Sequence, residues 1–172
     1  MNRSAIQPIP PFFDRYINLV EDIDILDALK RYHISYFQQE YKSLKNLGDK
    51  VYAPGKWTVK DILQHLIDNE RIMAYRALRV GRNDPTPLPG YDQDVLTATA
   101  NSSKRTVGEL LREFELVRET TIILFETFDD EMLMRVGNCN NTQMSALALG
   151  FVIAGHPIHH MNIIKDKYYP LI

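Results

Sequence analysis

A single cysteine in 172 residues excludes everything a cysteine framework does: Cys139, in the polar run Gly137-Asn138-Cys139-Asn140-Asn141, can form neither an internal disulfide nor a thiolate zinc knuckle. A reducing compartment suits such a chain. Excess charge of one sign is also lacking, since 20 basic residues face 22 acidic ones for a formal charge of −2. With no basic block to track a phosphate backbone, nucleic acid is not an expected partner. Sustained apolar–polar alternation of the strand kind is missing. The most apolar run, Met144 to Ile158, contains two glycines and falls short of the roughly 20 residues a membrane span requires, so it reads as a buried helix and no membrane is expected. Met1 to Pro11 has no apolar stretch and carries three prolines, unlike a secretory signal, which points to the cytoplasm. The length admits one domain with a real core, read as residues 1–172.

What is present is helical periodicity. The first predicted helix runs from about Ile23 to Leu44, with Ile25, Leu26, Leu29, Tyr32, Tyr36 and Phe37 facing inward and His33 within it. A second starts at Thr58, where Thr58-x-x-Asp61 forms an Asp version of the capping box, and runs to about Val80 before Gly81. A third begins near Thr106, capped with Glu109, and continues to about Phe128, with a short turn expected at Glu131 to Met134. The fourth spans Ser145 to Tyr168 and stops before Pro170. Between the second and third, Pro85, Pro87, Pro89 and Gly90 exclude regular helix from Arg82 to Lys104 and leave Tyr91 near the tip of an ordered turn. Four helices of about 30 Å each bury their stripes most simply as an all-α four-helix bundle. The Arg82–Lys104 connection is long enough to travel the bundle's length and so permits a parallel neighbour.

The chemistry-bearing residues are histidines. His156 and His160 stand one turn apart, about 40° from each other on the helical wheel. They share a stripe with Leu149, Ile153, Ile163 and Ile164, while Leu147, Phe151, Ala154, Ile158 and Met161 form a second apolar stripe, so this helix is central. His159 points about 60° to the other side of His156 and is the competing partner at i+3; His160 is preferred because it lies on the shared stripe. On the second helix, His65 sits at the edge of the core face marked by Val59, Ile62, Leu66, Met73 and Ala77. Two neutral imidazoles on one helix and a third from a packed neighbour can grip a divalent ion and leave a position open, the arrangement of catalytic metal sites. Ordinary buried histidines satisfied by backbone carbonyls would show the same spacing, and spacing alone leaves both readings open.

Pro157 removes the backbone N–H that would pair with the Ile153 carbonyl, so a kink is predicted beside His156, eased by Gly155. Asp61, Asp68 and Glu70 could accept the other ring N–H of a ligand histidine, or serve only as a cap and a solvated face. Arg76 and Arg79 project within about 40° of the His65 column and could bind a substrate carboxylate or phosphate, although surface arginines without such a role are commoner. Trp57 and Tyr91 could wall a pocket or simply pack.

Several blocks together resemble the DinB-like family of metal-dependent proteins: Ala53-Pro54-Gly55-Lys56-Trp57-Thr58 leading into Asp61-x-x-x-His65, then Asp68-Asn69-Glu70-Arg71, and Ala154-Gly155-His156-x-x-His159-His160 in the last helix. The resemblance spans nearly the whole chain. It implies a four-helix bundle of up-down-down-up order, often a homodimer, with zinc, nickel or manganese held at the positions of His65, His156 and His160, and His159 nearby. It also implies hydrolysis or thiol transfer on a small molecule, with a low-molecular-weight thiol as one candidate partner. The rival is a non-catalytic bundle that a metal merely stabilises, or that binds none.

Overall fold

The computed structural model describes residues 1–172. After a short α1 (Asp14–Ile17), the predicted first helix is three pieces, α2 (Ile25–Arg31), α3 (Ser35–Gln38) and α4 (Tyr41–Leu47). The break begins at Tyr32, whose ψ of 39° leaves the helical region. Periodicity hides it because the pieces share an inward face, on which Leu29, Phe37 and Leu44 are fully buried. The second arm is the unbroken α5 (Val59–Gly81), whose capping box has both halves: Thr58 Oγ1 accepts from Asp61 N–H, and the Asp61 carboxylate accepts from Thr58 N–H.

The Arg82–Lys104 segment is ordered, but not all irregular as expected. Its prolines end at Pro89; the Asp92 side chain then accepts from the backbone N–H groups of Asp94 and Val95 and starts α6 (Gln93–Thr99). After α7 (Val107–Glu126, capped reciprocally by Thr106 and Glu109) and α8 (Asp130–Met134) comes a hairpin with no counterpart in the sequence reading. Strands β1 (Val136–Cys139) and β2 (Thr142–Ser145) pair antiparallel. Asn140 and Asn141 turn the corner at φ of 55° and 61°, a backbone that Asn tolerates. Cys139 is therefore not in an exposed polar loop; it is buried where β1 meets the turn. Four-residue strands are too short to register as alternation. The last arm is α9 (Ala146–Ile163), extended by one wide turn over Ile164–Tyr168.

Side-chain pairs fix the directions. Asp61 with Ser102, Gln64 with Arg105 and Glu70 with Arg118 ascend together, from just before α7 into it, so α7 runs parallel to α5. His65 meets His160 and the Trp57 carbonyl accepts from the Tyr168 hydroxyl, so α9 opposes α5. The first arm meets α9 at Ile25 with Gly150 and again at Glu40 with Lys165, running parallel to it. The order is up-down-down-up. It requires the α5–α7 connection to return along the bundle, and that connection does so in contact with α5: Arg79 pairs with Asp84, Arg76 donates to the Pro89 carbonyl, Asn69 donates to the Tyr91 hydroxyl, and Ser102 donates to Asp61.

One buried side chain ties the four arms. Arg118, on α7 and 1% exposed, makes a two-point pair with the Glu70 carboxylate on α5, Nε to Oε1 at 2.7 Å and Nη2 to Oε2 at 2.8 Å. Its Nη1 donates to the carbonyls of Leu29 (3.2 Å) and Tyr32 (2.7 Å), those released where the first arm breaks. Its Nη2 also donates, at 3.1 Å, to the Ile153 carbonyl on α9. That is the oxygen Pro157 deprives of its helical donor, and α9 remains helical through the proline. Gly155 serves packing: a Cβ there would lie 2.1 Å from the Tyr16 carbonyl oxygen, so its bareness admits the α1 backbone against α9. The helical run Ala146–Leu171 is longer than the sequence suggested and has the length and apolarity of a membrane span, but 78% of its most apolar window is buried inside the bundle, as in a core helix.

Replacing Arg118 by Met leaves Glu70 as an uncompensated buried charge and should cost about 3–5 kcal/mol in urea unfolding. Gly155→Ala should cost about 1–3 kcal/mol, because α1 has to move off α9.

Candidate metal centre

Near the meeting of α5 and α9, three imidazoles turn the same nitrogen toward one another. Nε2 of His156 lies 3.2 Å from Nε2 of His65 and 2.9 Å from Nε2 of His160. One candidate donor atom from each of the three residues lies within 4.8 Å of the other two. His65 and His156 are buried and His160 is partly so. Burial in apolar surroundings disfavours an imidazolium, so the His65 pKa falls to about 4, and those of His156 and His160 fall well below the ordinary value, with the neighbouring imidazoles adding to the effect. All three are neutral at pH 7 and need no deprotonation to act as ligands.

The contacts cannot all be hydrogen bonds. A neutral ring nitrogen carries one hydrogen or one lone pair, so His156 Nε2 can serve His65 or His160 but not both. A cation accepted by three lone pairs relieves that conflict. Tetrahedral sites with bonds of 2.0–2.1 Å hold their donor nitrogens about 3.3 Å apart, close to the spacings observed. The residues fit a divalent ion.

Around the cluster, Trp57 lies 4.9 Å from His65 between ring centroids, and Tyr16 lies 4.9 Å from His156. Tyr16 also packs edge-on at 5.2 Å against His159, which stands outside the group of three. None of the three carboxylates hydrogen-bonds an imidazole of the cluster. Asp61 caps α5 and accepts from Ser102, Asp68 accepts from Gln64 at 2.9 Å, and Glu70 belongs to Arg118. His33 lies away from the cluster, beside Arg118 and Glu115.

The cluster borders two cavities. His65 and His156 line one of about 370 Å³, together with Tyr16, Asn69, Met73, Arg76, Tyr91, Cys139 and Asn140 among others. His160 faces another of about 300 Å³ beside Trp57, and Gln93 at the start of α6 borders both. Tyr91 is indeed part of the wall. Arg76 lines the larger cavity, whereas Arg79 is occupied by Asp84 and Tyr75. The sequence reading passed over Tyr16, Gln93 and Cys139 as cavity residues. Asn69 was within reach of it, being one turn from His65 on the same face; Tyr16 was not, because only the close approach at Gly155 brings α1 to the cluster.

A sequence model described as the DinB superfamily matches residues 14–164. A relative from Oceanobacillus iheyensis, named "Putative metal-dependent hydrolase OB0413", is 24% identical over 148 residues, covering 83% of this chain and 84% of its own. Among solved structures, YfiT from Bacillus subtilis aligns with a TM-score of 0.59 at 19% identity, over 90% of this chain and 86% of that one. It is described as "a probable metal-dependent hydrolase with an unusual four-helix bundle topology". The chain belongs to the DinB superfamily.

Proposed function

We propose that this member of the DinB superfamily holds a divalent metal ion, zinc, nickel or manganese, on His65, His156 and His160 and hydrolyses a small molecule bound in the adjoining cavity. The observation that carries the reading is the convergence of three neutral Nε2 atoms, more than mutual hydrogen bonds can satisfy, at the wall of a cavity of about 370 Å³. The names of the relatives agree with it. His65, His156 and His160 would hold the ion, which would supply Lewis-acid chemistry: polarising a carbonyl and easing ionisation of a nucleophile.

The chain's own residues supply orientation and proton placement. The Tyr91 hydroxyl accepts from Asn69 Nδ2 at 2.6 Å, which leaves its own hydrogen free for an oxygen in the cavity. Burial raises the Tyr91 pKa, so that proton stays on at neutral pH and the phenol acts as a donor. Tyr16, whose pKa burial also raises, packs edge-on against His156 at the wall of the same cavity.

Transfer involving a low-molecular-weight thiol is the second reading, favoured by one observation: no carboxylate hydrogen-bonds the imidazoles and none lines the cavity of about 370 Å³, so that cavity offers water no carboxylate base. A thiol, with an unperturbed pKa near about 8.5, needs far less help to ionise.

In protein prepared without a polyhistidine tag, His65→Ala, His156→Ala and His160→Ala should each remove stoichiometric metal by elemental analysis, while His33→Ala should keep it. Protein stripped with a chelator and reloaded with zinc, nickel or manganese should regain activity against a panel of simple esters, amides and thiol conjugates. Equal rates with and without metal would refute the metal chemistry.

A further inference from the structure

The larger cavity has a charge that nothing in the protein balances. Arg76 is 4% exposed, yet its polar contacts are the Pro89 carbonyl, to which Nη2 donates at 2.6 Å, and the Met73 sulfur, 3.7 Å from Nη1. The Tyr91 ring lies 5.9 Å from its guanidinium carbon. It has no carboxylate partner among the ion pairs of the structure, and no Asp or Glu lines the cavity. A guanidinium has five N–H donors, and these contacts leave most of them unspent. Arg118 shows what the same fold does with a buried arginine that is purely structural: a two-point carboxylate and three carbonyls enclose it. A buried cation without an anion is costly, and a planar donor fork facing a cavity matches the oxygens of a carboxylate or phosphate.

We propose that Arg76 binds an oxyanion of the ligand, and that the substrate is an elongated anionic small molecule. Arg76 and His65 lie eleven residues apart on α5, about 20° apart around the helix and about 16 Å apart along it at Cα. Asn69 and Met73 occupy the same face between them and also line the cavity. The anion therefore sits at one end and the bond to be broken at the imidazole end, which disfavours short neutral esters and cationic ligands. The inference rests on the proposed function only in calling the ligand a substrate; anion binding at Arg76 requires no metal.

The test uses chelator-treated, metal-free protein titrated calorimetrically with hexanoate, hexyl phosphate and hexan-1-ol. At least one anion should bind about tenfold or more tightly than the alcohol, and which one does so assigns the carboxylate or the phosphate. The preference should vanish in Arg76→Gln, shrink without vanishing in Arg76→Lys, where a point charge replaces the fork, and persist in Arg79→Gln. Equal affinity for the three probes, or a preference that survives Arg76→Gln, overturns the proposal; if that variant does not fold, an unchanged preference in Arg76→Lys does so. The probes contain no bond to cleave, so a failure here counts against the anion site alone, and a failure of metal-dependent turnover counts against the hydrolase reading alone.

Discussion

Arg118 is satisfied only when all four arms of the bundle are in place. Its two-point partner is on α5, two of its carbonyl acceptors come from the first arm and one from α9. Two of those sources are local defects. The first arm stops being helical at Tyr32 and releases carbonyls, and Pro157 strands the carbonyl of Ile153. Alone, each defect would leave a buried acceptor without a donor, and the cation would be a buried charge without enough oxygen around it. Together they cancel, which makes a fully formed bundle the state in which every partner is present.

The candidate centre inherits its register from that tie. Glu70 is little more than a turn beyond His65 on α5, and Ile153 is just under a turn before His156 on α9, so the contacts that clamp the two helices lie beside the imidazoles they must align. The surroundings that keep those imidazoles neutral are the same apolar core that the helices bury. Fold and chemistry thus draw on one set of residues at this end of α5, whereas Arg76, farther along, faces a cavity rather than a partner.

The parts that were legible in the sequence were local ones. Capping boxes at Thr58 and Thr106, the i, i+4 pair His156 and His160, and the stripe that made the last helix central all follow from spacing within a single segment. The length of the Arg82–Lys104 connection correctly allowed a crossover that lets α7 run parallel to α5. What could not be read depended on distant partners: Glu70 finds Arg118 at a separation of 48 residues, and nothing near either residue announces the other. The break in the first arm left its apolar period intact, and the hairpin's strands were too brief to show alternation. Cys139 sat among polar neighbours in sequence and still became buried, because the Asn140-Asn141 corner and the backbone bonds of Leu88 with Asn138 and Asn140 fold the connection over it.

Parallel packing of α5 and α7 obliges the chain to cross back over the bundle, and that return strand of sequence roofs the cavity. A hairpin-like joint between antiparallel helices would have had no such span to spare. Lengthening such a span adds little closure entropy, so the guests admitted can change with the roof residues Gly90, Tyr91 and Gln93 while the imidazole cluster on α5 and α9 keeps its shape.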